Sequence, residues 1–116
     1  MAKSHIKKST IMFTDVFGYS KIVGIDEKHA LQLLEEHNRI ITESIEAHNG
    51  SIIKFIGDAV FAEFDQPVEA SHCAIVIQHK FIQRNKIHSK NDRIHIRIGR
   101  HMGDLVVKGD SVLHYI

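Results

Sequence analysis

The chain has 116 residues, 43% hydrophobic and 25% charged, the profile of one globular domain able to bury its own core. Lys and Arg number 15 against 14 Asp and Glu, a net charge of +1 with histidines neutral, which argues against a broad basic surface for nucleic acid. The one cysteine, Cys73, excludes an internal disulfide, and neither a membrane-length apolar run nor a secretory leader is present, so a reducing, cytoplasmic setting without membrane contact is expected.

Residues 1–8 are polar, carry Lys3, Lys7 and Lys8, and read as a flexible tail. Residues 9–16 are nearly all apolar or β-prone and predict a central strand, with Asp15 near its end. Phe17-Gly18-Tyr19-Ser20 turns the chain, and Ser20 is placed to cap a short helix that Gly24 stops. Asp26 caps a longer helix over residues 28–48. Its stripe is Ala30, Leu31, Leu33, Leu34, Ile40, Ile41 and Ile45, and Asn49-Gly50 ends it. His37, Ser44 and His48 fall beside that stripe as boundary residues.

Residues 51–64 read as a hairpin around Gly57-Asp58, with Gly57 suited to the first position of a type II′ turn. Strict alternation puts Ile52, Lys54 and Ile56 on one face and Ile53 and Phe55 on the other. Lys54 breaks an apolar strand, either as charge protecting a sheet edge or as a recognition group. Asp65-Gln66-Pro67 opens a helix that runs to about Asn85, with Cys73 as a small core residue. Residues 93–100 alternate cleanly, with Ile94, Ile96 and Ile98 opposed to His95 and Arg97. Met102-Gly103-Asp104 is expected to turn the chain into residues 105–108, and Gly109-Asp110 is a further turn. The order β-α-α-β-β-α-β-β predicts an α+β, ferredoxin-like sandwich: a mainly antiparallel sheet with helices on one face.

Asp15 and Asp58 are the pair that suggests chemistry. Each alone has an ordinary explanation, Asp15 as a helix cap and Asp58 as a turn residue. If their strands are neighbours, both carboxylates project from one end of a sheet, where they can hold divalent metals. The ten histidines follow no H-E-x-x-H or Cys-His spacing.

Three stretches in order resemble the class III adenylate/guanylate cyclase catalytic domain. Phe13-Thr14-Asp15-Val16-Phe17-Gly18-Tyr19-Ser20 resembles its first metal motif. Lys54-Phe55-Ile56-Gly57-Asp58 resembles K-x-I-G-D, and Ile96-Arg97-Ile98-Gly99-Arg100-His101-Met102-Gly103-Asp104 resembles R-I-G-I-H-x-G-[DE]. The resemblance implies that residues 9–116 form a C-terminally truncated domain of this kind, roughly its first two-thirds, and that Asp15, Asp58 and the Val16 carbonyl hold two Mg²⁺ or Mn²⁺ ions. It implies further that the backbone around Tyr19 and Ser20 cradles the triphosphate, and that Arg97 contacts its β- and γ-phosphates. By the same resemblance Lys54 would read the purine, ATP in preference to GTP, and Ser111 stands where the family contacts the adenine amino group. Catalytic sites of the family form between two chains, so a homodimer or a pairing with another cyclase domain is implied.

The sequence also departs from the family. Arg100 replaces an apolar residue and His114 a glycine. The family's V-N-x-A-x-R segment, whose Asn positions the ribose and whose Arg stabilises the transition state, is absent from the sequence, so this chain alone is expected to be a poor catalyst. The expected activity is conversion of ATP to 3′,5′-cyclic AMP and pyrophosphate. The alternative is a cyclase-like nucleotide-binding or dimerisation module without turnover. A diguanylate cyclase is disfavoured, because no Gly-Gly-Asp-Glu-Phe stretch is present.

Overall fold

The structure is a computed structural model that describes the backbone of residues 4–108 and 111–115 and the side chains of residues 6–103. Its elements are β1 (Ser4–Val16), α1 (Tyr19–Ile25), α2 (Glu27–Ala47), β2 (Ser51–Ile56), β3 (Ala59–Phe64), α3 (Pro67–Lys86), a 3-10 turn (Lys90–Asp92), β4 (Ile96–Lys108) and β5 (Ser111–Tyr115). The strands form one sheet in the order β2-β3-β1-β4-β5, and every neighbouring pair is antiparallel. This is the ferredoxin-like α+β arrangement expected from the element order, with β1 central and β5 added at one edge.

Period-2 geometry sorts β1 into two faces. Thr10, Met12, Thr14 and Val16 are buried toward the helices, where Met12 and Val16 join Val60, Ala62 and Phe64 of β3. From the helices come Ile41 and Ile45 of α2 and Cys73, Ile77 and Phe81 of α3, all at most 1% exposed. Each large side chain buried this way contributes on the order of 1.5–3 kcal/mol. The opposite face carries no helix. There Ile53 and Phe61 pack against the buried Ile11.

Local signals place most boundaries. Asp26 caps α2, its side chain accepting from the His29 N–H at 3.1 Å, and Pro67 occupies the first turn of α3. Ile94 and Ile96 are buried while His95 and Arg97 are exposed, as the alternation predicted.

Several expectations are corrected. The strand begins at Ser4, so residues 4–8 are not tail. Ser4 to Lys8 pair with Lys108 to Asp104, because β4 continues straight through Met102, Gly103 and Asp104, where a turn was expected. Ladder hydrogen bonds to a long neighbour hold a polar segment that has no apolar face of its own. Gly18, at φ 71, is the N-cap of α1, which puts Ser20 inside the first turn. The same helix runs through Gly24 to Ile25. His37 and Ser44 are wholly buried rather than at a boundary; the Ser44 hydroxyl donates to the Ile40 carbonyl at 2.8 Å and accepts from Lys80 Nζ at 2.9 Å. Strict alternation also fails in β2. A bulge between Ile52 and Lys54 leaves Ile52 paired with Ala62 and Lys54 with Phe61, so Ile53 and Lys54 both meet the helix-free face. The Gly109-Asp110 turn lies outside the described residues.

Candidate active site

The register of β1 on β4 sets Asp15 directly opposite Arg97. Cross-strand partners share a face, and here the two side chains close on each other. Arg97 Nε donates to Asp15 Oδ1 at 2.7 Å and Nη2 donates to Oδ2 at 3.0 Å, so one planar fork engages both carboxylate oxygens. The guanidinium also lies 5.7 Å from the centre of the Phe17 ring. The bonds to Asp15 push the Arg97 pKa up from its ordinary value. Both groups stay open to solvent, with side chains 64% and 39% exposed for Arg97 and Asp15, so the pair can be exchanged for other partners.

Asp58 reaches the same place from another element. Ile56 pairs with Ala59 across the two-residue turn, and Gly57 alone of the two turn residues has positive φ, at 57°. Hairpin β2–β3 thereby delivers Asp58 to the end of β1, where Oδ2 accepts the Val16 N–H at 2.9 Å. Asp15, Val16, Asp58 and Arg97, separated in sequence, are together at one end of the sheet.

The remaining predicted residues are placed differently. Tyr19 is half-buried and its hydroxyl donates to the Ala30 carbonyl at 3.3 Å, which fixes its side chain in the fold. Burial first, and then the charges of Asp58 and Glu27, push its pKa up. Ser20 is exposed in the first turn of α1. Lys54 is exposed on edge strand β2, its Nζ 5.6 Å from the centre of the Phe61 ring. Phe61 in turn stacks on Phe13 at 6.3 Å between centroids, so Lys54 shares the helix-free face with Asp15 but stands across two aromatic rings from it. Ser111 pairs with Lys108, which is also the partner of Ser4, so its backbone lies toward the other end of the sheet. The Ser111 side chain lies outside the described residues, as does that of His114. Arg100 faces the helices and donates to the Ser71 hydroxyl on α3.

Two contributors escaped the sequence reading. Phe17 is the aromatic surface beside Arg97. Gly99 clears space for Phe13: a Cβ at Gly99 would sit 2.3 Å from the Phe13 ring. A lone glycine inside an alternating strand is the sequence cue for such a close approach. Phe13, Asp15, Arg97, Ile98 and Gly99 line an open hollow of about 250 Å³.

The donor set at this end is all oxygen: two carboxylates and the Val16 carbonyl. Hard oxygen donors suit Mg²⁺ or Mn²⁺ rather than softer transition metals. Among the described residues there is no group of three or more His, Cys, Asp or Glu arranged for a metal. Two carboxylates without a full protein cage fit Mg²⁺, which ordinarily keeps waters and completes its shell with substrate phosphates. Among the described residues, no helix is long and apolar enough to cross a membrane.

Comparison with known proteins places the chain in a family. The adenylate and guanylate cyclase catalytic domain family matches residues 1–115. A putative adenylate cyclase 3 of Rhizobium meliloti is 31% identical over 97% of this chain and 20% of its own length. The crystal structure of an adenylate/guanylate cyclase/hydrolase from Silicibacter pomeroyi superposes with a TM-score of 0.84 at 29% identity, over 96% of this chain and 65% of that one. A bacterial light-regulated adenylyl cyclase shares the fold, with a TM-score of 0.85 at 24% identity over 91% of this chain and 33% of its own. The chain thus spans about a fifth of the curated relative, whose overlap is 20% of its length.

Proposed function

Because the chain belongs to the adenylate and guanylate cyclase catalytic domain family, we propose that it takes part in converting ATP to 3′,5′-cyclic AMP and pyrophosphate. The observation that carries this reading is the convergence of Asp15 and Asp58 on one sheet end, with the backbone of Val16 between them. The reaction is an in-line attack of the ribose 3′-oxygen on the α-phosphorus. The bond from the α-phosphorus to the bridging oxygen breaks, pyrophosphate leaves with that electron pair, and the proton of the 3′-hydroxyl passes to solvent.

Asp15, Asp58 and the Val16 carbonyl would hold two divalent ions. When bound, such ions lower the pKa of the 3′-hydroxyl and offset phosphate charge. Arg97 presents a forked donor that matches phosphate oxygens as well as it matches Asp15. The N–H groups of Tyr19 and Ser20, in the first turn of α1, have no acceptor within the helix and can meet the triphosphate.

Lys54 and Ser111 would read the adenine. Within one chain Lys54 stands across the Phe61 and Phe13 rings from Asp15, and the Ser111 backbone lies toward the other end of the sheet, which supports a site completed by a second cyclase domain, most simply another copy. The helix-free face that would meet it carries Phe13, 41% exposed, and Lys54. ATP as substrate also favours a cytoplasmic location.

The test is the formation of cyclic AMP and cyclic GMP from Mn²⁺-ATP and Mn²⁺-GTP, with and without Asp15→Asn. Cyclic AMP formation that Asp15→Asn abolishes, with the fold intact, supports the reading. Nucleotide binding without turnover would replace it with a nucleotide-binding module. Absence of both would overturn it.

A further inference from the structure

We propose that Arg97 holds the place of the metal at Asp15: it pairs with the carboxylate until a cation and a nucleoside triphosphate arrive together, and then passes to the phosphates. The inference rests on the metal-binding role given to Asp15 above and adds an order to its events.

The geometry forces a competition. Asp15 and Arg97 are cross-strand partners, so the ladder holds their backbones side by side whichever ligand is bound. The fork spends both carboxylate oxygens on one guanidinium, at 2.7 and 3.0 Å. A divalent ion at Asp15 would lie within a few ångströms of that positive charge, where like charges repel. Arg97 must therefore leave before the cation is held well.

Leaving costs little if a new anion is waiting. The pair is solvent-exposed, and exposed pairs are weak. The Phe17 ring gives the guanidinium a resting surface beside the site, 5.7 Å away, so a released Arg97 stays close. Triphosphate oxygens offer it a second forked acceptor. Cation alone meets an occupied carboxylate, and nucleotide alone meets an occupied arginine. Together each frees the partner of the other. Arg97 on this account makes metal and nucleotide binding cooperative, beyond any later contact with the phosphates.

The test is titration of the protein with Mn²⁺, followed by the electron paramagnetic resonance of the free ion. It is run with and without 3′-deoxy-ATP, which has no 3′-hydroxyl to react. Without nucleotide, Arg97→Gln is expected to bind Mn²⁺ roughly two- to fivefold more tightly than the parent, the scale of an exposed ion pair. With the analogue, the parent is expected to gain Mn²⁺ affinity and Arg97→Gln to gain much less. Equal or weaker Mn²⁺ binding by Arg97→Gln without nucleotide overturns the proposal. Asp15→Asn separates the two levels. If it titrates like the parent under both conditions, the metal reading of Asp15 fails and takes this inference with it. If it loses binding while Arg97→Gln changes nothing, only the exchange fails. Should Arg97→Gln not fold, Arg97→Lys carries the same test with a smaller expected rise, since one ammonium cannot span both oxygens.

Discussion

Asp58 Oδ2 accepts the backbone N–H of Val16 at 2.9 Å, across 42 residues of sequence. This bond ties the hairpin tip to the end of the central strand. It also holds Asp58 beside the end of the strand that carries Asp15. On the function proposed above, Asp58 has a chemical task besides this structural one, and two substitutions separate them. Asp58→Asn keeps an oxygen for the Val16 N–H but loses the charge. Asp58→Ala loses both. Cyclic AMP formation should fall in both, by about 10²–10³-fold, the loss typical of removing one preorganised charge-stabilising group. Only Asp58→Ala should also lose stability, by about 1 kcal/mol for a part-exposed hydrogen bond. Urea denaturation beside the activity assay checks this, and equal stability loss in both variants would refute the division.

Gly99 is a packing requirement of the site rather than a flexible joint. Its place opposite Phe13 leaves no room for a methyl group, since a Cβ would stand 2.3 Å from the ring. Gly99→Ala must push the ring aside or part β1 from β4 two residues from Asp15 and Arg97. The expected cost is about 1–3 kcal/mol, that of overpacking. Replacing the ring in Phe13→Leu/Gly99→Ala should recover much of that loss. Denaturant melts of the single and double variants measure the coupling, and additive losses would sink the account.

Most of the architecture was legible because its signals are local. The Gly57-Asp58 turn, the Asp26 cap and the Pro67 start each act within a few residues, and the structure uses all three. The isoleucine alternation of β4 was equally direct. What escaped depends on distant partners. Residues 4–8 look loose alone and become strand only beside the far half of β4. The bulge at Ile53 was hidden because Lys54 fits strict alternation equally well on paper. At the site, the motifs located Asp15, Asp58 and Arg97, but the Asp15–Arg97 bond is a matter of cross-strand register, which no single segment encodes. Phe17 beside Arg97 was invisible for the same reason.

Arg84 of α3 ties α2 to the 3-10 turn that precedes β4. Its side chain is 8% exposed; Nε and Nη2 donate to the Glu36 carboxylate at 2.6 and 2.9 Å, and Nη1 donates to the Asp92 carbonyl at 2.6 Å. Arg84→Met should cost about 2–3 kcal/mol, below the ~3–5 of a fully buried pair because Glu36 can rehydrate. The pair also makes stability acid-sensitive. Hydrogen bonding from Arg84 holds the Glu36 pKa below its ordinary 4.5. The unfolded chain then binds the proton first as pH falls, so this stability is complete above about 4.5 and is lost toward the folded value. Glu36→Gln should be less stable near neutrality and flatter through that acid range. Melts at stepped pH test it, and parallel curves for the two proteins would refute it.

His37 gives the opposite kind of burial: a titratable ring with half its polar capacity unused. It is 0% exposed, packs 5.9 Å from the Phe81 ring and shares its Nδ1 with Asn38 Oδ1 at 2.9 Å, while Nε2 has no hydrogen-bond partner. With the proton on Nδ1, as a neutral ring beside an amide oxygen requires, Nε2 is a bare acceptor in the core. Burial pushes the pKa below its ordinary 6.5, against smaller opposing pulls from the Asn38 bond and the Asp58 charge. As pH falls through 6.5 the unfolded chain takes up a proton that the folded chain refuses, so stability drops toward the folded pKa. His37→Leu removes both the proton and the orphaned nitrogen at similar volume. Its stability at pH 7.5 should lie within about 1.5 kcal/mol of the parent. The difference should then move steadily in favour of the leucine variant between pH 7 and pH 5. Urea melts across that range decide the matter, and a constant difference would mean that His37 is not the group being charged.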